Sequence, residues 1–138
     1  MAPTREPLGF VIGEALGARD PAGVFQFVLF VPDKDKNGEP VDQHDYWVGE
    51  ALAEFGKLFR GATAYPRARG VWRKDEDGGE LLFENPTIVV CYAELQDVTR
   101  AAMRTLRRFL HRLGRETNQG EVGIVCGDEY WGITEFDD

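Results

Sequence analysis

The sequence contains few of the residues that build most metal and redox sites. It has two cysteines, two histidines and two methionines in 138 residues. A zinc site of the usual kind takes three or four Cys, His or carboxylate ligands, so we expect no metal and no cofactor. Cys91 and Cys126 both lie in apolar β-type patterns, which favours reduced, buried thiols over a disulfide.

Long hydrophobic runs and familiar catalytic motifs are also missing. No apolar stretch approaches the length of a membrane-spanning helix, and the first residues lack the basic and hydrophobic regions of a secretion signal. We therefore expect a cytoplasmic protein with no membrane contact. The sequence has no phosphate-binding loop, no nucleophile elbow and no paired C-x-x-C motif, so it leans towards a protein that is not an enzyme.

The charge is acidic overall but unevenly placed. The formal net charge is −8, from 24 acidic and 16 basic residues. Residues 97–116 carry six arginines against two acidic residues, a local balance of +4, which leaves −12 on the remainder. Binding to phosphate backbones or anionic membranes depends on Lys and Arg, so the overall charge makes nucleic acid an unexpected partner.

The length predicts a single domain over residues 1–138, with a core at about 24–133. Apolar runs predict strands at 24–31 and 87–92 and an alternating strand at 121–126, followed by a short last strand at 129–133. A short apolar run at 10–12 predicts a loosely held N-terminal strand, followed by a turn at 20–23. Three- and four-residue spacings predict helices at about 43–60, capped by Asp42 and ended by Gly61, and at 98–113, capped by Asp97 and ended by Gly114.

The stretch 61–92 predicts a long β-hairpin. Pro66 and Gly70 interrupt its first strand, which favours a bulged or edge position. Its charged tip at 73–80 contains Gly78 and Gly79, which supply the positive φ angles that a hairpin turn needs.

This order of elements predicts the fold. Strand, helix, hairpin, helix and strand give an α+β, ferredoxin-like βαββαβ sandwich, an antiparallel sheet with two helices on one face and short extra terminal strands. The other sheet face must then be polar or covered. We therefore expect self-association as a dimer or trimer.

The loop at 33–40 resembles a calcium-binding loop only in part. Asp33, Asp35 and Asn37 alternate as oxygen ligands would, but His44 stands where the twelfth-position glutamate is required. The mismatch indicates a structural loop without a metal ion.

The second helix separates its residues into an apolar side and a basic side. Its predicted interaction face consists of Arg100, Arg104, Arg107, Arg108, His111 and Arg112. Neighbouring cations on a helix repel one another unless an acidic surface faces them. That surface can belong to the chain itself, to another subunit or to an anionic ligand.

Several short motifs carry a resemblance. Gly61-Ala62-Thr63, Gly70-Val71-Trp72, Glu84 and the stretch 114–119 (GRETNQ) resemble a set of short uncharacterised bacterial proteins over roughly residues 24–133. That resemblance implies no activity. The order of elements is distantly similar to PII-like proteins, which are ferredoxin-like trimers that bind nucleotides or small anions between subunits, but their Gly-rich nucleotide loop and long exposed loop are absent here.

Three functional hypotheses follow. The first is a non-enzymatic oligomeric module with a regulatory or accessory role that binds a small ligand or a protein partner. The second is a small enzyme of the dimeric α+β barrel type with Glu84, Tyr92 or His44 as acid or base. The third is anion or nucleic-acid binding by the Arg face of helix 98–113. The predicted binding residues are Thr63, Tyr65, Arg67, Arg69, Trp72, Glu84, Asn118 and Gln119. No residue is predicted to be catalytic.

Overall fold

The computed structural model describes residues 8–19 and 24–138. They form an α+β fold with two antiparallel sheets and three α-helices. The helices are α1 (Ile12–Leu16), α2 (His44–Phe59) and α3 (Arg100–Glu116). The strands are β1 (Phe25–Val31), β2 (Thr63–Tyr65), β3 (Gly70–Lys74), β4 (Glu80–Glu84), β5 (Thr87–Ala93), β6 (Val122–Cys126) and β7 (Glu129–Ile133).

The main sheet has the order β2-β5-β1-β6-β7, and its paired strands are all antiparallel. Residues alternate between its two faces, because successive side chains of a strand point in opposite directions. Phe27, Leu29 and Val31 of β1 are fully buried under the helices. The ring of Phe27 stacks on Phe59 of α2 with centroids 4.7 Å apart. The core therefore lies between this face and the α2–α3 layer.

The opposite face of the main sheet carries no helix among the described residues. Val28, Phe30, Ile88 and Val90 are only half-buried there, and Tyr92 is 61% exposed. The two-stranded sheet of β3 and β4 forms a separate arm. The arm and the uncovered face together define the cleft in which the candidate site lies.

The long hairpin predicted at 61–92 is present but divided. Its base, β2 with β5, joins the main sheet, whereas its outer half, β3 with β4, pairs only with itself. Pro66 and Pro86 lie at the break, where the missing N–H groups interrupt a continuous ladder. At the tip, Gly78 and Gly79 have φ angles of +73° and +83°, as predicted.

The N-terminal strand predicted at 10–12 is wrong. Those residues lead into α1, which ends at Gly17 with a φ angle of +67°. The Glu-Ala-Leu sequence that follows has a high helix propensity, which favours a helix over a strand here. The predicted turn at 20–23 lies outside the described residues.

Helix positions are confirmed, but their predicted caps are wrong. Gln43 and Thr99 precede α2 and α3, and the Thr99 hydroxyl accepts the Ala102 N–H at 3.0 Å. α2 ends on Arg60 in a left-handed conformation. α3 continues past Gly114, which is buried because the ring of Phe136 occupies the space that a Cβ would fill.

No helix in the described ranges has both the length and the apolar content needed to cross a bilayer.

Candidate active site

A cleft of about 310 Å³ lies between the β3–β4 arm and the uncovered face of the sheet. Its walls come from the arm, from the end of β1, from the loop at 33–40 and from residues 119–123. Small-molecule sites in proteins usually have volumes of roughly 300 Å³ or more. The side chains that carry its chemistry are Phe30, Trp72, Lys74, Glu84, Gln119 and Glu121.

On the arm, Trp72 and Glu84 form one pair. The indole Nε1–H of Trp72 donates to Glu84 Oε1 at 2.6 Å. The β3–β4 register brings them together, because Trp72 faces Leu82 and Gly70 faces Glu84, so both side chains leave the same face of the arm. Loss of hydration raises the pKa of the Glu84 carboxyl, and the Trp72 hydrogen bond only partly opposes this. Glu84 therefore takes up a proton more readily than a fully hydrated glutamate does.

On the sheet, Tyr130 and Glu121 form a second pair. The Tyr130 hydroxyl donates to Glu121 Oε2 at 2.6 Å. Burial of the phenol, with Glu121 beside it, raises the pKa of Tyr130, which therefore stays protonated. The second pair matches the first, since each carboxylate is held by the polar edge of an aromatic ring.

Two cross-strand glycines make room for this second pair. Gly123 of β6 faces Gly132 of β7. A Cβ at Gly123 would lie 2.3 Å from the Tyr130 hydroxyl, and one at Gly132 would lie 2.6 Å from the Glu121 carboxyl carbon. The absence of both side chains therefore lets the pair lie flat on the sheet.

The aromatic rings join the two pairs into one surface. Tyr130 lies 6.2 Å from Trp72 and 6.4 Å from Phe30, measured between ring centroids. Aromatic faces attract both planar heterocycles and cations. The cleft thus combines aromatic faces with the two hydrogen-bonded carboxylates. The rest of its charged lining consists of Asp35, Glu76, Lys36, Arg73 and Lys74.

The turn at 118–119 is tied to the loop at 33–40. Asn118 Nδ2 donates to Asp35 Oδ2 at 3.3 Å, and Gln119 Nε2 donates to the Lys34 carbonyl at 3.0 Å. Asp35 Oδ1 also accepts the N–H groups of Asn37 and Glu39, and the Glu39 bond is the main reason why the pKa of Asp35 is lowered. The carboxylate that resembled a calcium ligand therefore closes its own loop.

Of the predicted binding residues, Trp72, Glu84 and Gln119 line the cleft. Asn118 supports its rim, as described above. The other four, Thr63, Tyr65, Arg67 and Arg69, are exposed outside it. Arg67 lies 3.7 Å from Asp33, and Glu84 forms no ion pair with an arginine of the described residues.

Two of the three predicted acid–base residues have other surroundings. His44 is buried, with Nδ1 2.9 Å from the Pro32 carbonyl and Nε2 2.8 Å from the Thr87 hydroxyl. The carbonyl can only accept, so Nδ1 carries a proton, while Nε2 shares its hydrogen bond with the Thr87 hydroxyl. His44 thus ties α2 to the sheet, and Tyr92 lies on the exposed face away from the cleft.

Carboxylates of the same chain neutralise part of the basic face of α3. Arg107 pairs with Asp137 at 2.8 Å, and Arg112 pairs with Glu50 at 2.8 Å while lying over the Trp47 ring. His111 does not lie on an exposed face as expected. It is 6% exposed and its Nδ1 accepts the Asp137 N–H, because the C-terminal segment covers it.

Glu121, Tyr130 and Phe30 are not among the predicted site residues. The sequence predicts only strand positions for them. A glycine inside a strand often marks a close approach of another group, so Gly123 and Gly132 were the available signal. Within the described ranges, no three His, Cys, Asp or Glu side chains are grouped as metal ligands would be.

Comparisons with known proteins give a fold but no family. No protein-family model matches the chain, and no curated protein matches it by sequence. The solved structures that are similar to it include two of a phage SAM lyase. A phage SAM lyase in complex with S-methyl-5'-thioadenosine has a TM-score of 0.60 and 17% identity, over 85% of this chain and 94% of that one. A phage SAM lyase in the apo state has a TM-score of 0.55 and 19% identity, with the same coverage.

These similarities correct the functional prediction. The expectation of a non-enzymatic binding module is wrong, because the structures that share the fold are of an enzyme. The sequence does not predict an enzyme, because the carboxylate and aromatic residues of the cleft lie on separate elements and form no motif along the chain. The similarity to short bacterial proteins remains a prediction.

Proposed function

We propose that this protein is an enzyme that binds S-adenosylmethionine (SAM), or a closely related sulfonium nucleoside, in the cleft and cleaves its carbon–sulfur bond without water. The observation that carries this proposal is the pairing of Trp72 with Glu84 and of Tyr130 with Glu121 around one cavity. The fold shared with a SAM lyase supports the reaction class.

The cleft has the chemistry that such a substrate requires. The adenine of SAM is a flat heterocycle that stacks on aromatic rings, and its sulfonium is a cation attracted both by ring faces and by carboxylates. Each carboxylate uses one oxygen to accept its aromatic donor. The second oxygen, Oε2 of Glu84 or Oε1 of Glu121, makes no hydrogen bond within the described residues and is free to face the ligand.

The reaction needs no cofactor. The sulfonium takes the electron pair of the broken bond and leaves as the neutral thioether S-methyl-5'-thioadenosine. The four-carbon remainder balances its charge by losing a proton to a carboxylate or by closing on its own carboxylate. In this scheme Glu84 and Glu121 hold the cation before bond breaking, and Glu84, with its raised pKa, is the better proton acceptor.

The first experiment incubates the purified full chain with SAM and follows S-methyl-5'-thioadenosine by liquid chromatography. NMR of the second product distinguishes an unsaturated amino acid from a lactone. Glu84→Gln keeps the shape and removes the charge, so we expect it to lower kcat/KM by about 100-fold or more, the usual range for a lost electrostatic contact.

The matched control is Glu80→Gln, which changes an exposed glutamate of the same strand outside the cleft. It should retain wild-type activity. A wild-type chain that forms no thioether from SAM and binds neither SAM nor S-methyl-5'-thioadenosine would contradict the proposal.

Two finer sequence predictions belong with this proposal. The ferredoxin-like arrangement is supported by the order β2-β5-β1-β6, with the β3–β4 arm as an insertion and β7 as an added edge strand. Self-association is supported by the apolar side chains on the uncovered sheet face. Cytoplasmic location remains an expectation from the sequence.

A further inference from the structure

The outer edge of β7 has no pairing partner in the described part of the chain. β7 ends the main sheet, and four of its five residues are exposed. Trp131 is 56% exposed and faces the helix side, where it lines a pocket with Met103 and Leu106. An open edge with a large apolar side chain readily pairs with another strand.

Beside this edge lies an apolar notch of about 280 Å³. Its apolar walls are formed by Met103, Leu106, Leu110, Ile124, Trp131 and Ile133. Ile133 also borders an adjoining groove lined by Arg100, Arg104 and Arg107. Arg107 is neutralised by Asp137, whereas Arg100 and Arg104 form no ion pair with any described residue. Glu135 also lines this groove without an ion pair to either arginine, so the apolar notch adjoins two cations and one carboxylate that are not paired.

We propose that a second copy of this chain occupies this surface by pairing its β7 antiparallel to the first, with the two-fold axis at Trp131. In such a pair Trp131 lies opposite Trp131 of the second copy. Directly opposite side chains have Cβ atoms about 5 Å apart, so the two indoles pack together over the two notches. The main sheets then join into one continuous sheet.

The charges select a second copy as the occupant. Glu129 and Ile133 lie two residues on either side of Trp131 and share its face of the strand. Pairing about Trp131 therefore places Glu129 of one copy opposite Ile133 of the other, beside the groove that contains Arg100 and Arg104. Glu129 forms no ion pair with a described residue of its own chain. Because each copy carries both Glu129 and the arginine groove beside Ile133, the two-fold axis forms the same contact twice.

The test measures the mass of the full chain by light scattering across a range of protein concentrations near physiological salt. The wild type should form dimers, and Glu129→Lys should weaken association at least tenfold. Combining Glu129→Lys with Arg104→Glu exchanges the charges and should restore it. Asp42→Lys, the same charge reversal at an exposed position before α2, should leave association unchanged.

Cross-linking fixes the register. In a Cys126→Ala background, Trp131→Cys should form an intersubunit disulfide on oxidation. Residue 131 of one copy lies directly opposite residue 131 of the other. Glu129→Cys should not, because it faces Ile133. A monomeric wild type, association that Glu129→Lys leaves unchanged, or cross-linking by Glu129→Cys and not by Trp131→Cys would each overturn the proposal.

Discussion

At the scale of single residues, the site depends on a few positions where side-chain size and hydration are tightly set. Gly123 and Gly132 leave the space in which Tyr130 and Glu121 lie. Glu84 lies where loss of hydration favours its neutral form. These positions look ordinary in the sequence, because a glycine in a strand and a glutamate at a strand end are common.

Gly123→Ala should displace the Tyr130 hydroxyl and break its hydrogen bond to Glu121, because the new Cβ would lie 2.3 Å from that oxygen. We expect a loss of about 1 kcal/mol in the free energy of unfolding, the usual net value of one hydrogen bond. Urea denaturation measures it.

The matched control is Gly49→Ala, an exposed position in α2 where a Cβ meets nothing within 4 Å. It should gain about 1 kcal/mol, because alanine favours a helix over glycine. Equal effects of the two substitutions would contradict the role assigned to Gly123.

Cys91 should make stability depend on pH in the alkaline range. Burial raises the pKa of its thiol from 9.0 to about 11. Below pH 9 the thiol is neutral in both states. As the pH rises towards 11, the unfolded thiol ionises first, so the chain loses about 2–3 kcal/mol of stability.

Urea denaturation between pH 8 and 11.5 measures this loss. Cys91→Ala should reduce the alkaline loss of stability relative to the wild type. Val89→Ala, at a fully buried position of the same strand, should lower stability by a similar amount at every pH. A Cys91→Ala profile parallel to the wild type would contradict the assignment.

At the scale of elements, the β3–β4 arm contributes to the candidate site but not to the hydrophobic core. It forms one wall of the cleft, yet none of its residues belongs to the buried core. Its two ends lie together, since the Ala68 N–H donates to the Pro86 carbonyl at 2.8 Å and Asn85 Nδ2 donates to the Ala68 carbonyl at 3.2 Å. The arm is therefore an outgrowth of a structure that closes without it.

Replacing residues 69–84 by two glycines should leave the fold intact and abolish cleavage of SAM. The urea midpoint should stay close to that of the wild type, because the core between sheet and helices keeps its residues. Circular dichroism and the thioether assay measure the two effects. Loss of the fold on removing the arm would show that the arm contributes to the core.

At the scale of the whole molecule, the main property is its acidic charge. The formal net charge of −8 surrounds a cleft lined by four carboxylates and three basic side chains. An excess of one charge raises the local concentration of oppositely charged ligands and speeds their association. The acidic body therefore suits a cationic substrate better than an anionic one.

For SAM, whose net charge is positive, kcat/KM should fall several-fold as ionic strength rises from about 0.05 M to about 0.5 M, because salt screens the attraction. Binding of the neutral product S-methyl-5'-thioadenosine should change little over the same range. A calorimetric titration of the product is the control. The same salt dependence for both ligands would contradict electrostatic attraction of the substrate.

The sequence by itself determined the main core elements and the α+β class, although not the helix at the N-terminus. The apolar runs of β1 and β5 and the helical spacing of α2 and α3 were readable because burial imposes a period along the chain. The positive φ angles of Gly78 and Gly79 were readable because turn chemistry is local. The surface arginines of α3 were also visible from periodicity.

Only the tertiary structure decided the site. Trp72 and Glu84 are twelve residues apart, and both lie far along the chain from Glu121 and Tyr130. Strand register aligns the two residues of each pair. The break at Pro66 turns the arm out of the main sheet and so brings the two pairs to one cleft. Likewise, Phe136 and Asp137 cover His111, and the ring of Phe136 packs against Gly114 inside α3. Such contacts depend on which elements pack together, and the periodicity within one element does not predict its packing partner.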